Sequence, residues 1–600
     1  MKFILNIMDK KGLKYGDKLS MILLPIISSE IGQKQMIRKR SYILYLSLAV
    51  LLPCFLSGQF SYSGSLNSRY ADSKNNLGFN EHLFDLNLDY SDSDRIYQGW
   101  TQFEFSDPPE LGRPTQELRK LRFEYLSGNM TAKIGDIYEF WGMGMALNQV
   151  DDQAIDFDTG IRGALFSYNN DFLKWTVLKG KTHTWKSTNL IKDFDERVPN
   201  FDTNHDLLGT NLEYNFESGM VGVNLIQSSE KHDAFDRFGT VEKKTIDHTM
   251  IGGYTSLNFS RASIFVEVLK KSTKEASTDY NEDGSGLYAN LMAPFGDWSL
   301  LVEYKNYNFL KLSPLEKDNF VNQFGYHADY TNPPPGYYEH TTVLNGRIAR
   351  QANINDEIGY QLKLSGPIGM NHTVSISYAK SSQHQSWLQD DNYQWVADQT
   401  FDWMPSSETF AIPYEELFIN FDGNFFNHKL FYEIGWGTMQ DVQYLFAHRN
   451  QSNGIFRVHE LLESQTMPLS LTYAINNKYS VELKYEYQEL KQGSLRETND
   501  GNTFMSVVGK PLRYNNVISL GFASSPKWSI TYFQDNTSAD EKTLKAEQWT
   551  YWEFLYRINQ NMVLTYFDGS LKGGLVCSNG VCRYKQPFED GQKLSFIYMF

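Results

Sequence analysis

The residues best equipped for chemistry sit in one stretch, Ile134-Gly135-Asp136-Ile137-Tyr138-Glu139-Phe140-Trp141-Gly142-Met143-Gly144, followed by Asp151, Asp152, Asp156, Asp158 and Arg162. Carboxylates in excess over one guanidinium predict a charge cluster on the inner side of a wall. Such a cluster either stiffens the wall through ion pairs or constricts an ion path. The glycines at 135, 142 and 144 permit bends or close backbone approach within strands. Asp279, Asn281 and Asp283 ahead of Gly284 are spaced like the opening of a calcium loop. Asn290 stands where such a loop needs its bidentate acid, so a polar turn between strands is the plainer reading. Trp387, Tyr393, Trp395, Phe401 and Trp403 crowd one connection together with Asp390, Asp391, Asp398 and Asp402. Their rings suit stacking on a sugar or docking a protein, or else filling the mouth of a barrel. Cys577 and Cys582 flank the turn signal Asn579-Gly580, which brings the thiols together and predicts a local disulfide outside the cytoplasm. His459-Glu460-Leu461-Leu462-Glu463 lacks the second His of a zinc protease, and no nucleophile elbow, P-loop or Cys–His pair is present. No catalytic residue, cofactor or firm metal set is expected, and the chain reads as a non-enzyme.

The elements that would carry these residues are strands. Phe84, Leu86, Leu88 and Tyr90 alternate with Asp85, Asn87 and Asp89, and Leu121, Phe123 and Tyr125 alternate with Arg122 and Glu124. Val481, Leu483, Tyr485 and Tyr487 do the same against Glu482, Lys484, Glu486 and Gln488. A period of two places apolar and aromatic groups on one face and polar groups on the other. At the end of the chain Leu594, Phe596, Tyr598 and Phe600 share a face. Termini fray unless they are tied down. An aromatic terminal strand therefore predicts pairing with the first strand, which would close a barrel and abolish its edges.

Of the 600 residues 41% are hydrophobic and 15% aromatic, with 40 Phe, 37 Tyr and 12 Trp. That is too polar for a helical membrane protein, but it suits a barrel with aromatic girdles at both membrane interfaces. A net charge of -15 excludes nucleic acid as a natural partner. Met36-Ile37-Arg38-Lys39-Arg40 is a basic region ahead of the apolar run 42–52, with Ser57-Gly58 before Gln59. This pattern predicts an upstream extension over 1–35, a secretory signal peptide over 36–58 and a single barrel domain over 59–600. Short polar turns alternate with long connections, chiefly 183–206, 308–354, 383–413 and 488–512. The fold class expected is all-β: a large antiparallel transmembrane β-barrel of roughly two dozen strands with long extracellular loops, lipid outside and a wet lumen inside. The strands begin too early to leave room for a plug domain ahead of them.

The motifs Gly135-Asp136, Tyr138-Glu139, Gly142-Met143-Gly144 and Ile161-Arg162-Gly163-Ala164 resemble those of an uncharacterised family of large β-barrel outer-membrane proteins of Bacteroidota. Asn332-Pro333-Pro334, Glu339-His340-Thr341, Leu344, Arg347 and Glu357-Ile358-Gly359-Tyr360-Gln361 resemble a mid-chain segment of the same family. The resemblance spans most of the mature chain; it implies the fold and carries no assigned chemistry. It leaves three readings: a pore or surface binding and transport barrel, a structural subunit docking to an outer-membrane secretion or assembly complex, and a barrel-wall hydrolase. Outer-membrane lipid and the barrel-assembly machinery are the partners expected of any of them, with protein partners for the second.

Overall fold

The computed structural model describes residues 59–600 except 93, 187–196, 236–240, 277–279, 314–326, 390–394, 451–453, 498–503, 508–511, 540–545 and 579–580. A few side chains beside these segments, those of Cys577 and Cys582 among them, also lie outside the description. The chain falls into two compact units. The smaller spans 1–60 with 90–93; everything below concerns the larger, 61–89 with 94–600.

Alternating polar and apolar residues produce strand after strand, and 24 of them form one antiparallel barrel sheet. A further short strand, Phe504–Val507, only extends the pairing of Tyr479–Glu497 above the barrel. Closure is made where the sequence predicts it. The register runs from Ser65 opposite Met599 to Asp72 opposite Gln592. Gly64 and Phe600 exchange both backbone hydrogen bonds at 3.0 Å, so the carboxyl-terminal residue is tied down.

The strand Phe201–Phe216 shows how the faces divide. Thr203, His205, Leu207 and Asn211 are buried, while Leu208, Leu212, Tyr214 and Phe216 are exposed. Its neighbour Gly219–Phe235 exposes Val221, Val223 and Leu225 in the same band. An exposed apolar belt around a closed sheet is stable only against acyl chains, and the protein lies in the outer membrane. No helix among the described residues is long and apolar enough to cross a membrane.

Above the belt the outer face turns polar without the pairing stopping. Asp206 there is held between Lys181 (3.1 Å) and Lys231 (3.3 Å). These strands outrun the nine to eleven or so residues that a crossing needs. Two of the expected long connections are shorter for this reason. Strands Leu173–Lys186 and Phe201–Phe216 leave only 187–200 between them, and Tyr479–Glu497 runs deep into the expected 488–512. Loss of the apolar alternation marks the edge of the bilayer, whereas the ladder continues in water.

The wet lumen needs correction. Connections 138–160 and 327–355 fold inward and meet the inner wall. Trp141, Met145, Ala146 and Leu147 from the first, with Ala328 and Tyr330 from the second, form one buried cluster with Ile226, Met250, Leu269 and Tyr307 of the wall. These two connections therefore occupy space inside the wall and bury apolar side chains there. The disulfide is not supported either. Cys577 and Cys582 are opposite one another in the hairpin Gly574–Ser578/Val581–Lys585, but their side chains lie outside the described residues.

Candidate functional site

The inward connection 327–355 is built to be rigid. Pro333, Pro334 and Pro335 fix an extended backbone, because each ring locks its own φ and biases the residue before it. Gly336 then turns the chain at a φ of +65°, where a side chain would be strained. A four-residue helical turn, Val343–Gly346, follows.

Its contacts run around much of the wall. Asp329 accepts from Thr184 (2.6 Å) and Thr203 and pairs with Lys186 (2.6 Å). Burial alone would raise the Asp329 carboxyl; Lys186 and His205 hold it well below the usual carboxylate range. Tyr330 and Ser228 share a hydrogen bond of 2.7 Å. Tyr307 donates to the carbonyl of Pro334 (2.9 Å), and Lys305 to that of Pro335. His340 pairs with Glu416. Glu486 accepts from the backbone N–H of Val343 (2.9 Å) and Leu344 (2.8 Å), satisfying donors that so short a helix leaves open. Arg347 pairs with Asp535. Arg350 meets Asp441 and lies 3.5 Å from Glu357, which also takes Lys305 at 2.8 Å. Burial pushes the Arg350 guanidinium down, but Glu357 and Asp441 more than reverse this and keep it charged. The two inward connections also bond to each other: Asn148 donates its backbone N–H to the Tyr330 carbonyl at 2.8 Å.

Beside this segment lies a cavity of about 780 Å³. Phe79, Glu110, Tyr338, Arg347, Lys572 and Lys593 are on its lining, so both charge signs and aromatic faces are present. Glu110 is gripped there by Arg69, Lys593 (3.1 Å) and Lys585 (3.7 Å).

The predicted charge cluster separates into parts. Asp136 and Arg162 face each other in register on the outer wall, 3.0 Å apart, not in the lumen. Strand parity decides this, since Ile137 and Ile161 beside them point into the buried cluster. Asp136 accepts the N–H of Leu121 (2.7 Å), and Arg162 donates to the carbonyl of Arg119 (2.7 Å). Both therefore serve backbone groups where the regular pairing of the neighbouring strand ends, at Arg122 opposite Gly135. Glu139 pairs with Lys133 at 3.1 Å. Asp151, Asp156 and Asp158 gather around Lys120 and Arg119, with Lys120 at 3.1 Å from Asp158. Asp152 caps the N–H of Ala154 in a local turn. The sequence reading missed Arg119 and Lys120, the cations that balance this group.

Asn281 and Asp283 lie in the strand Asn281–Phe295, where Asp283 pairs with Lys270 across the ladder at 2.8 Å; Asp279 lies outside the described residues. Trp387 and Trp395 belong to the hairpin Gln385–Gln389/Trp395–Thr400, and Tyr393 lies outside the described residues. Phe401 donates its N–H to the carbonyl of His384 (2.7 Å). The carbonyls of Asp402 and Trp403 accept from Asn306 (2.7 Å) and Tyr304 (3.0 Å), which alternate with the inward Lys305 and Tyr307. The aromatic connection is thus draped on the outer wall rather than across the mouth, with Trp403 70% exposed.

Among the described residues one group has the composition and proximity to hold a metal: His205, Glu230 and His248, with ligand atoms all within 4.8 Å of one another. They come from three adjacent strands, so no sequence spacing announces them. Only the register does, placing His205 opposite Glu230 and His248 opposite Ser228.

Solved structures with a similar arrangement include a ferric enterobactin receptor from Pseudomonas aeruginosa, 8% identical, with a TM-score of 0.44 over 90% of this chain and 81% of that one. The siderophore receptor PirA from Pseudomonas aeruginosa is 7% identical, with a TM-score of 0.43 over 90% and 80%. The outer membrane transporter YddB from Escherichia coli is 8% identical, with a TM-score of 0.42 over the same shares. At these scores the likenesses carry no functional argument. No curated protein matches the sequence. The match that does span the chain covers residues 56–600, and by it the protein belongs to the family of unknown function DUF6029.

Proposed function

We propose that the protein is a non-enzymatic outer-membrane barrel that binds or transports a solute and keeps its lumen closed with its own connection 327–355. The observation that carries this is the set of contacts that segment makes, from Asp329 at Thr184 and Lys186 to Arg347 at Asp535. A general pore would have no use for buried ion pairs across its path, whereas a gated barrel needs a segment that holds firmly and can be released. The cavity beside the segment, with Glu110, Arg347, Lys572 and Lys593 on its wall, is the first place a charged or aromatic solute would meet.

Several finer readings rest on the sequence alone. Residues 1–35 are an upstream extension and 36–58 a signal peptide, both outside the described residues. The motif resemblance supports a source in Bacteroidota. The aromatic closing strand would be read by the barrel-assembly machinery during insertion. The outward aromatic connection around Trp387, Trp395, Phe401 and Trp403 would serve recognition, whether of a saccharide or of a protein in a larger complex.

The test is single-channel recording in planar bilayers, comparing the wild type with a variant in which 331–349 is replaced by a flexible linker. The wild type should be silent or open only briefly, and the variant should conduct steadily. A steady, equal conductance from both would sink the proposal. Silence from both, with proteins co-purifying from outer membranes, would favour the structural-subunit reading.

A further inference from the structure

The buried trio His205, Glu230 and His248 lies where the wall meets the inward connection. All three side chains are at most 1% exposed. His205 Nε2 lies 3.4 Å from Asp329 Oδ2. A carboxylate oxygen only accepts, so Nε2 carries the proton and Nδ1 presents its lone pair. That Nδ1 is buried and has no hydrogen-bond partner, an arrangement that costs free energy unless something else satisfies it. His248 also turns its Nε2 toward a carboxylate. Its Nδ1 lies 3.2 Å from the Thr273 hydroxyl, and its Nε2 lies 3.4 Å from Glu230 Oε2. By the same rule its Nε2–H donates to Glu230 and the Thr273 hydroxyl donates to Nδ1; a bound ion would displace the Nε2 proton, with Nδ1–H then donated to Thr273.

We propose that His205 Nδ1, His248 Nε2 and the Glu230 carboxylate bind a borderline divalent ion of the Zn²⁺ class. Two imidazoles with one carboxylate suit zinc, copper or nickel, and not calcium or magnesium, which take oxygen ligands. Tetrahedral zinc with nitrogen and oxygen ligands needs donor separations of about 3.4 Å. From a spread of at most 4.8 Å, small side-chain shifts close the set. Asp329 is the outer partner that fixes the tautomer of His205, and it belongs to the inward connection. The three ligands come from the wall, but His205 is oriented by Asp329 only while that connection is docked, so the ion favours the docked state by mass action.

The experiment uses untagged full-length protein in detergent, stripped with a chelator that is then removed, and titrated with Zn²⁺ against a competing indicator. Co²⁺ absorption reports the geometry. The wild type should take up one equivalent, and the doubly substituted His205→Ala, His248→Ala protein should lose it. Asp329→Asn should weaken binding by about 10- to 100-fold, the effect typical of removing the group that orients a ligand histidine. Heat-dependent gel mobility identifies folded barrels; if the double variant fails to fold, His248→Gln replaces it. Wild-type protein that binds no Zn²⁺ above a buffer blank, or binding that survives loss of both histidines, would overturn the proposal.

Discussion

At the scale of single residues, Glu110 is a loop carboxyl outside the membrane-spanning strands whose charge is held by three cations. Burial alone would raise its carboxyl, but Lys593, Lys585 and Arg69 win and hold it down at about 2. A carboxyl with a depressed folded value contributes stability above the ordinary carboxylate range, and that contribution fades as the pH falls through the folded value. The shift corresponds to on the order of 3 kcal/mol. Amide protection over 107–114, taken relative to the intrinsic exchange rate at each pH, should therefore hold from neutral pH down to the usual carboxylate range and fall between there and about pH 2. In Glu110→Gln that acid step should vanish; a step that persists in the variant would mean another group controls the loop. Nothing in the sequence marks Glu110, because its partners are far away in the chain. Asp136 teaches the converse. Its neighbourhood in sequence is acidic, but its position in an alternating strand sends it to the outer wall beside Arg162.

At the scale of elements, the closing strand was legible residue by residue, and its partner surface was not. A Cβ at Gly64 would lie 2.5 Å from the Phe600 ring and 2.5 Å from the carbonyl of Asp85. Phe600 stacks on Phe84 at 6.1 Å across this gap in the side-chain layer. Glycine is therefore required where the seam closes. Gly64→Val should sharply lower the fraction of folded barrel, measured by heat-dependent gel mobility after refolding into vesicles, while the exposed turn change Gly296→Asn leaves it nearly intact. Equal folding of Gly64→Val and the wild type would show that the seam tolerates displacement of Phe600. The inward connection 327–355 belongs to the same scale. Its prolines and helical turn could be read as a stiff loop, but whether a stiff loop points out or in depends on partners such as Glu486, Asp535 and Asp441, contributed by distant strands.

At the scale of the whole molecule, the bilayer divides one continuous strand surface into two solvents. Val223 lies within the apolar band, while Ser229, farther along the same strand and on the same face, lies above it. Val223→Arg should cost about 2–4 kcal/mol of unfolding free energy in lipid vesicles, and Ser229→Arg about 0–1 kcal/mol. Equal costs would place the membrane elsewhere. By itself the sequence determined the period of two, the aromatic closing strand and hence an outer-membrane barrel, since these follow from which side chains suit lipid. Only the tertiary structure decided what fills the lumen, which wall each charge faces and where His205, Glu230 and His248 meet. Those depend on register between strands and on loops that can fold either way, and neither is encoded in the spacing of neighbours along the chain.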